Sequence, residues 1–184
     1  MSNILLFDNF ITSTIIYSSQ STTGIRMQEN YFSRVLVAID GSASAMHATD
    51  YAISIAMKNN SQLLVLYVID VYKYPYLPSS IILAPTFGSE KYLEEKNEAE
   101  ERMNKIKEKY KQKTNNNTNS KELMTEIVEG TKSAATTIME YAESKNVDLI
   151  IIGSRGRTSF KKLLLGSVSS NIIKNAHCAV LVTR

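Results

Sequence analysis

The sequence is poor in residues that form covalent or metal cross-links. Its 184 residues include one cysteine, two histidines and no tryptophan. A lone cysteine, Cys178, excludes an internal disulfide framework and is typical of proteins from a reducing cytosol. Cys178 and the histidines also supply too few ligands for a structural zinc site of the usual kind. We therefore predict a cytoplasmic protein without disulfides or protein-bound metal.

Long apolar runs and strong net charge are lacking as well. No uninterrupted apolar segment reaches the ~18 residues of a membrane span. The net charge of +3 is too small to indicate a nucleic-acid partner. The N-terminus lacks the basic start and continuous apolar middle of a secretory signal, because no Lys or Arg precedes Arg26. We expect neither a membrane span nor a nucleic-acid partner.

Residues 1–30 differ from the rest of the chain. They are rich in Ser, Thr, Ile and Asn and show no clear hydrophobic period. Two interpretations stay open: a poorly ordered or interfacial N-terminal extension, or a true translation start at Met27. Under either interpretation the folded domain is predicted to span residues 31–184.

Beyond residue 31, short apolar runs alternate with helical patterns. Strands are predicted at 34–40, 62–70, 122–130, 147–153 and 178–184. Helices are predicted between them, at 41–60, 90–113, 131–146 and 167–176. The helix at 90–113 carries a thin apolar stripe and is otherwise interpreted as a solvated charged face. All three prolines fall in the loop 71–89.

This alternation predicts an α/β, Rossmann-like fold, an open five-stranded parallel sheet with helices on both faces. Right-handed crossovers leave few arrangements, and we predict the strand order 3-2-1-4-5. In that order the direction of winding reverses between the first and fourth strands. Ligands of such sheets bind at the reversal, beyond the carboxyl ends of the strands. The residues at those ends are 38–40 and 152–153.

A glycine motif begins where the fourth predicted strand ends. It reads G-x2-G-x9-G-S, formed by Gly153, Gly156, Gly166 and Ser167. Glycines let a ligand approach the main chain, and the helix that starts at Ser167 offers unpaired N–H groups. The motif lacks the P-loop lysine and follows the wrong strand for a dinucleotide fingerprint. It therefore predicts a phosphate cradle of another kind.

With these residues in view, the chain resembles the universal stress protein family, single-domain type. The resemblance covers roughly residues 33–184 and is carried by RVLVAIDGS, LLVLYVID, DLIIIGSRGR and LLLGSVSSNIIKNAHCAVLV. The motif G-x2-G-x9-G-[ST] marks the ATP-binding branch of that family, and every position is filled. The resemblance implies a stress-response protein that binds ATP, with Mg or Mn held through the phosphates.

The same resemblance implies the residues of the site. Asp40 and a main-chain group at Val68 would hold the adenosine end, in a pocket lined by Ala38 and Ile152. The ribose and phosphates would be held by Gly153, Gly156, Gly166, Ser167, Val168 and Ser169. Ala38 replaces a proline common in the family and Ser169 a threonine, and both substitutions keep the packing or hydroxyl required. Arg155 and Arg157 either contact phosphates or belong to a solvated loop.

Three functions remain as hypotheses: a nucleotide-binding regulatory module, a slow ATPase or phosphotransferase, and a ligand-free structural or chaperone-like dimer. Phosphoryl transfer needs metal ligands, a charge clamp and a group that orients the nucleophile. The sequence offers a cradle but no evident base, so we assign no catalytic residue and favour binding. The intact glycine motif argues against the third hypothesis.

The last predicted strand, which includes AVLVTR, is expected at an edge of the sheet. Long apolar edges are usually covered or paired with another strand. Family members of this kind often pair this strand across a two-fold axis. We therefore predict a homodimer through the C-terminal strand.

Overall fold

The computed structural model of the protein describes residues 32–74, 87–114, 121, 123–156 and 165–184, with two N-terminal strands. The strands are β1 (Asn3–Leu6), β2 (Ile15–Ser18), β3 (Arg34–Ile39), β4 (Gln62–Asp70), β5 (Met124–Gly130), β6 (Leu149–Gly153) and β7 (Ala179–Thr183). The helices are α1 (Ala43–Asn59), α2 (Phe87–Thr114), α3 (Ala134–Ser144) and α4 (Ser167–Asn175). A short 3-10 turn, Val71–Lys73, follows β4. The prolines and Arg157 lie outside the described residues.

One sheet joins the described strands in the order β1-β2-β7-β6-β3-β4-β5. The strands from β3 onward are parallel, since β3 pairs with β4 and β6, β4 with β5, and β6 with β7. Counted from β3, this is the order 3-2-1-4-5, so the predicted fold is confirmed. The direction of winding reverses between β3 and β6, as expected.

The C-terminal strand β7 does not form the edge of the sheet. β2 pairs with it in antiparallel orientation, from Ile15–Val182 to Tyr17–Val180, and β1 pairs with β2. The expectation that β7 is an edge strand is therefore wrong, because the chain's own N-terminal part covers it. The nature of the extension and a start at Met27 stay predictions, since most of residues 1–30 lie outside the described part.

Helices cover both faces of the sheet. Side chains alternate along a strand, so Val35 and Val37 of β3 join a core cluster with α1 and α2 on one face, the α1/α2 face. Leu36 and Ala38 point to a second cluster with α3 and α4, the α3/α4 face. The central strands are apolar throughout because both of their faces are buried. Among the described helices, none is long and apolar enough to cross a membrane.

Local capping explains where α1 begins and ends. The Ser42 hydroxyl accepts a hydrogen bond from the Ala45 N–H at 3.3 Å, which satisfies a free donor of the first turn. Asn60 adopts the left-handed conformation, with φ at 49°, and its N–H donates to carbonyls of the last turn. Ser133 caps α3 in the same way as Ser42 caps α1.

The charged helix α2 packs through the apolar stripe that its sequence predicts. Ala99, Met103, Ile106 and Tyr110 are buried on the α1/α2 face. Most other described residues of the helix are exposed, in agreement with a solvated face. Glu95 is an exception, because only 8% of its surface is exposed.

Asp148 ties the start of β3 to the start of β6. Its Oδ2 atom accepts N–H bonds from Ser33 at 2.7 Å and from Arg34 at 2.8 Å. In return, the Asp148 N–H donates to the Arg34 carbonyl at 3.0 Å. The Arg34 guanidinium adds a bond to the Lys145 carbonyl at 2.6 Å. These bonds hold the amino ends of the two strands in register.

Replacing Asp148 by alanine is expected to lower the free energy of unfolding by about 1.5–3 kcal/mol, because two N–H groups lose a charged acceptor. Urea denaturation would measure this as a lower midpoint. Glu143→Ala, at an exposed position of α3, serves as the control and should leave the midpoint unchanged. If the Asp148→Ala midpoint equals that of the wild type, the hydrogen bonds of Asp148 to the Ser33 and Arg34 N–H groups do not stabilise the fold.

Candidate functional site

Two loops meet at the carboxyl edge of the sheet, where the winding reverses. The β3–α1 loop comprises residues 40–42, and the β6–α4 loop comprises residues 154–166, of which 157–164 lie outside the described part. Ala38 pairs with Ile152 at the end of the β3–β6 ladder, so both loops leave the sheet side by side. Parallel pairing therefore brings the two predicted halves of the site together.

Asp40 faces the glycine loop directly. Its Oδ1 atom accepts the Ser42 N–H at 2.9 Å, which fixes the carboxylate within its own turn. A Cβ built on Gly156 would lie 2.8 Å from Asp40 Oδ2. A side chain at position 156 would press against this carboxylate, which would have to move aside.

Serine hydroxyls lock the two loops to each other. Ser44 Oγ donates to the Arg155 carbonyl at 2.5 Å, and Ser42 Oγ donates to the same carbonyl at 3.2 Å. On the other side of β6, Ser169 Oγ donates to the Gly153 carbonyl at 2.8 Å. The predicted phosphate contact Ser169 is therefore also a structural residue, and its side chain is buried.

An apolar floor lies beside the loops, on the α3/α4 face. Ala38 of β3, Val68 of β4 and Ile152 of β6 come from neighbouring strands and belong to the same core cluster. Ala38 and Val68 are half-buried, whereas Ile152 is 3% exposed. Ala38 and Val68 therefore offer the accessible part of this apolar patch, which is of a chemistry that suits the face of an aromatic base.

Among the described residues, no N-cap side chain closes the start of α4. Gly166 is its N-cap residue and has no side chain to cap the first turn, unlike Ser42 and Ser133 at the starts of α1 and α3. The first turn contains no acidic residue, so its N–H groups and dipole favour an anion. Ser167 and Val168 are exposed there.

The structure thus brings the predicted site residues to one edge of the sheet, and their contacts with a ligand stay predictions. Arg155 is half-buried, and its carbonyl is fixed by the two serine hydroxyls. Arg157 lies outside the described residues. Sequence reasoning did not anticipate that Ser42 and Ser44 bond across the two loops. Their position opposite the glycine motif is visible only once β3 and β6 are paired.

Sequence reasoning also missed a carboxylate near this edge. Glu95 of α2 is buried and accepts hydroxyl bonds from Tyr67 of β4 and Tyr74. Nearby, Tyr92 donates to Glu129 at the end of β5; burial, this bond and the Glu129 charge raise the pKa of Tyr92 to about 12. Glu95 lies between Tyr92 and Ala99 at helical spacing, and that position in the apolar stripe was the available signal.

His47 and Cys178 have structural contacts. His47 Nδ1 is 2.6 Å from the Arg184 carbonyl oxygen, and its ring contacts Tyr51 edge-on. Burial and the nearby Asp148 charge raise the pKa of the Cys178 thiol to about 11. A thiol of this kind is protonated at neutral pH and unsuited to redox chemistry. Within the described ranges, no three His, Cys, Asp or Glu residues form a group that could hold a metal ion.

A groove of about 360 Å³ lies elsewhere, between α2 and β5. It is lined by charged and polar residues that include Lys96, Glu100, Thr125 and Glu126. Glu126 there accepts the Tyr141 hydroxyl at 2.7 Å, and burial, this bond and the Glu126 charge raise the pKa of Tyr141. None of these residues belongs to the predicted site.

Comparison with known proteins assigns the fold to a family. The sequence matches the universal stress protein family over residues 32–184. The chain belongs to this family. A universal stress protein from Methanocaldococcus jannaschii is 35% identical over 162 residues, covering 87% of this chain and 86% of the relative. The universal stress protein YxiE from Bacillus subtilis is 31% identical over 154 residues, covering 83% and 99%.

Solved universal stress proteins share the architecture. The protein UspA from Lactobacillus plantarum superposes with a TM-score of 0.68 at 28% identity, covering 85% of this chain and 100% of that one. Two more distant structures were solved with nucleotides. One, from Archaeoglobus fulgidus, holds dAMP and has a TM-score of 0.55 at 17% identity. The other holds cAMP and has a TM-score of 0.52 at 20% identity.

Gly153 and Gly156 allow the fold and the site to be tested separately. A Cβ on Gly153 would lie 2.7 Å from Ser44 C and 2.8 Å from Ala45 N, which are backbone atoms that cannot move aside alone. Gly153→Ala should therefore destabilise the fold by about 1–3 kcal/mol, typical of overpacking. Gly156→Ala meets a movable carboxylate and should largely spare stability.

Urea denaturation of both variants measures the difference, with the wild type as reference. We expect a clearly lower midpoint for Gly153→Ala and a near-normal midpoint for Gly156→Ala. Equal midpoints in the two variants would contradict the assigned packing of the glycine loop.

Proposed function

We propose that this universal stress protein binds ATP at the carboxyl edge of the sheet, against the β3–α1 and β6–α4 loops, as a regulatory module. The observation that carries the proposal is the approach of the Gly156 main chain to the Asp40 carboxylate, beside an uncapped helix start. At this edge the carboxylate suits the ribose hydroxyls, the apolar floor suits the base, and the N–H groups at the start of α4 suit the phosphates. The dAMP and cAMP complexes of distant relatives support the choice of an adenine ligand.

The adenosine end fits the floor and the carboxylate. Adenine would lie on Ala38, Val68 and Ile152, with its edge at the Val68 main chain. Asp40 would accept hydrogen bonds from the ribose hydroxyls, because an ionised carboxylate is a strong acceptor. Its fixed bond to the Ser42 N–H means that little conformational freedom is lost on binding.

The phosphates fit the start of α4. The main-chain N–H groups at Ser167 and Val168 would meet phosphate oxygens, and the helix dipole favours their charge. The Gly166 N–H already donates to the Ser154 carbonyl at 2.8 Å, so Gly166 would contribute through the close approach of its main chain. Mg or Mn would enter with the phosphates and neutralise part of their charge. The lock between Ser44 and the Arg155 carbonyl sets how close the glycine loop stands to this position.

We infer that the site holds the nucleotide and does not turn it over at a useful rate. Hydrolysis needs a group that orients water in line with the terminal phosphate. The carboxylate among the predicted site residues, Asp40, belongs to the adenosine end and already accepts the Ser42 N–H. We infer that the protein acts by changing its contacts when the nucleotide is bound. Its composition predicts that this takes place in the cytoplasm.

Asp40 tests the proposal. Asp40→Asn keeps an acceptor for the Ser42 N–H but loses the charge, so ATP affinity should fall about tenfold or more, as expected for hydrogen bonds to a charged group. Isothermal titration calorimetry measures this, together with the identity of any nucleotide that copurifies. Glu143→Gln is the control, because it removes the same charge from an exposed position of α3 that belongs to neither loop.

Failure of the wild-type protein to bind ATP, or equal affinities in Asp40→Asn and the wild type, would overturn the proposed site. Sustained phosphate release over many turnovers that is lost in Asp40→Asn would favour the enzyme hypothesis instead.

We further propose that the protein forms a homodimer through β7 when that strand is uncovered. β2 now occupies the β7 edge, so pairing with a second copy requires β2 to leave. A variant that begins at Met27 should therefore be dimeric at micromolar concentration, whereas the full chain should contain more monomer. Light scattering coupled to size-exclusion chromatography measures both masses. A monomeric shortened protein would refute dimerisation through this strand.

A further inference from the structure

Glu95 is a buried carboxylate on an otherwise solvated helix. It is 8% exposed, while its neighbour Glu94 is exposed. Tyr67 donates its hydroxyl to Glu95 Oε1 at 2.9 Å, and Tyr74 donates its hydroxyl to Oε2. Burying a charge is costly unless it is hydrogen-bonded, so these bonds are needed to keep the carboxylate in place. We therefore expect the buried Glu95 carboxylate to have a specific role at this position.

The two tyrosines bracket one short segment of the chain. Tyr67 lies in β4 immediately before Val68, and Tyr74 follows the 3-10 turn at Val71–Lys73. We call residues 68–73 the β4 exit. The turn within it is closed by the Tyr74 N–H, which donates to the Val71 carbonyl at 3.0 Å. Both ends of the β4 exit are therefore held by the same carboxylate.

The two hydrogen bonds to Glu95 hold Tyr74 on the side of the sheet opposite the apolar floor. Tyr74 packs against the cluster of the α1/α2 face, whereas the Val68 side chain belongs to the α3/α4 face. Tyr92 contacts Tyr74 edge-on, with ring centroids 5.8 Å apart, and donates its hydroxyl to Glu129 of β5. Tyr74 is thereby held against α2, on the face of the sheet opposite the Val68 side chain.

We propose that Glu95 is a positioning residue for the base end of the nucleotide site. By holding Tyr67 and Tyr74 it fixes the main chain at Val68, which determines how tightly the adenosine part of the ligand is bound. The inference rests on the proposed function, because it assumes that adenine meets the Val68 main chain. The inference gives α2 a role in the site that is not evident from the charged sequence of this helix.

Glu95→Leu removes both acceptor oxygens and replaces the carboxylate by an apolar side chain of similar size. We expect it to weaken the binding of adenosine and of ATP by the same factor, about tenfold, because only the base end is disturbed. Glu95→Gln can still contact both hydroxyls and should bind nearly as the wild type does. Glu94→Leu, at the exposed neighbouring position, is the matched control and should bind normally.

Calorimetric titrations with adenosine and with Mg-ATP, well below the unfolding temperature, provide the measurement. Tyr74→Phe removes one hydroxyl, and we expect it to weaken both ligands less than Glu95→Leu does. The Tyr74→Phe variant can therefore test the proposal even if Glu95→Leu does not fold.

The outcomes separate the two proposals. A wild-type protein that binds neither ligand overturns the proposed function itself. A wild type that binds, with Tyr74→Phe and any folded Glu95→Leu equally tight, overturns the role of Glu95 alone. That role is also overturned if ATP binding weakens while adenosine binding does not. Glu95→Gln binding as weakly as Glu95→Leu would overturn it too, because glutamine retains the contacts.

Discussion

Parallel pairing between β3 and β6 is the constraint on which the candidate site depends. The ladder runs from Val35–Leu149 to Ala38–Ile152, and Asp148 holds its amino end through the Ser33 and Arg34 N–H groups. A slip of one residue would send every side chain of the strand to the opposite face. Because both faces are buried, the register is strongly specified, and the β3–α1 and β6–α4 loops must emerge together.

The two faces of the sheet contribute differently to the site. The α3/α4 face supplies the apolar floor and the start of α4. The α1/α2 face supplies support: Ser44 of α1 holds the Arg155 carbonyl, and Glu95 of α2 holds the tyrosines at both ends of the β4 exit. A site whose supporting groups are already bonded loses little entropy when a ligand arrives, which suits a binding module.

β2 covers the edge of β7 within the chain itself. An unpaired strand edge with apolar residues is a template for association, and Val180, Leu181 and Val182 of β7 are all buried. Residues 15–18 therefore occupy the edge that the proposed dimer would use, and under that proposal the two pairings exclude each other.

The amino-acid sequence by itself determined the alternation of strands and helices, their parallel order and the edge at which Asp40 meets the glycine motif. Those features follow from local periodicity and from chain-connection rules that any strand of this composition obeys. Only the tertiary structure decided that Glu95 is buried, that Ser44 reaches Arg155 and that β2 covers β7. Glu95 falls at the period of the apolar stripe of α2, but its residue type is that of the exposed glutamates around it, and its partners Tyr67 and Tyr74 are distant along the chain.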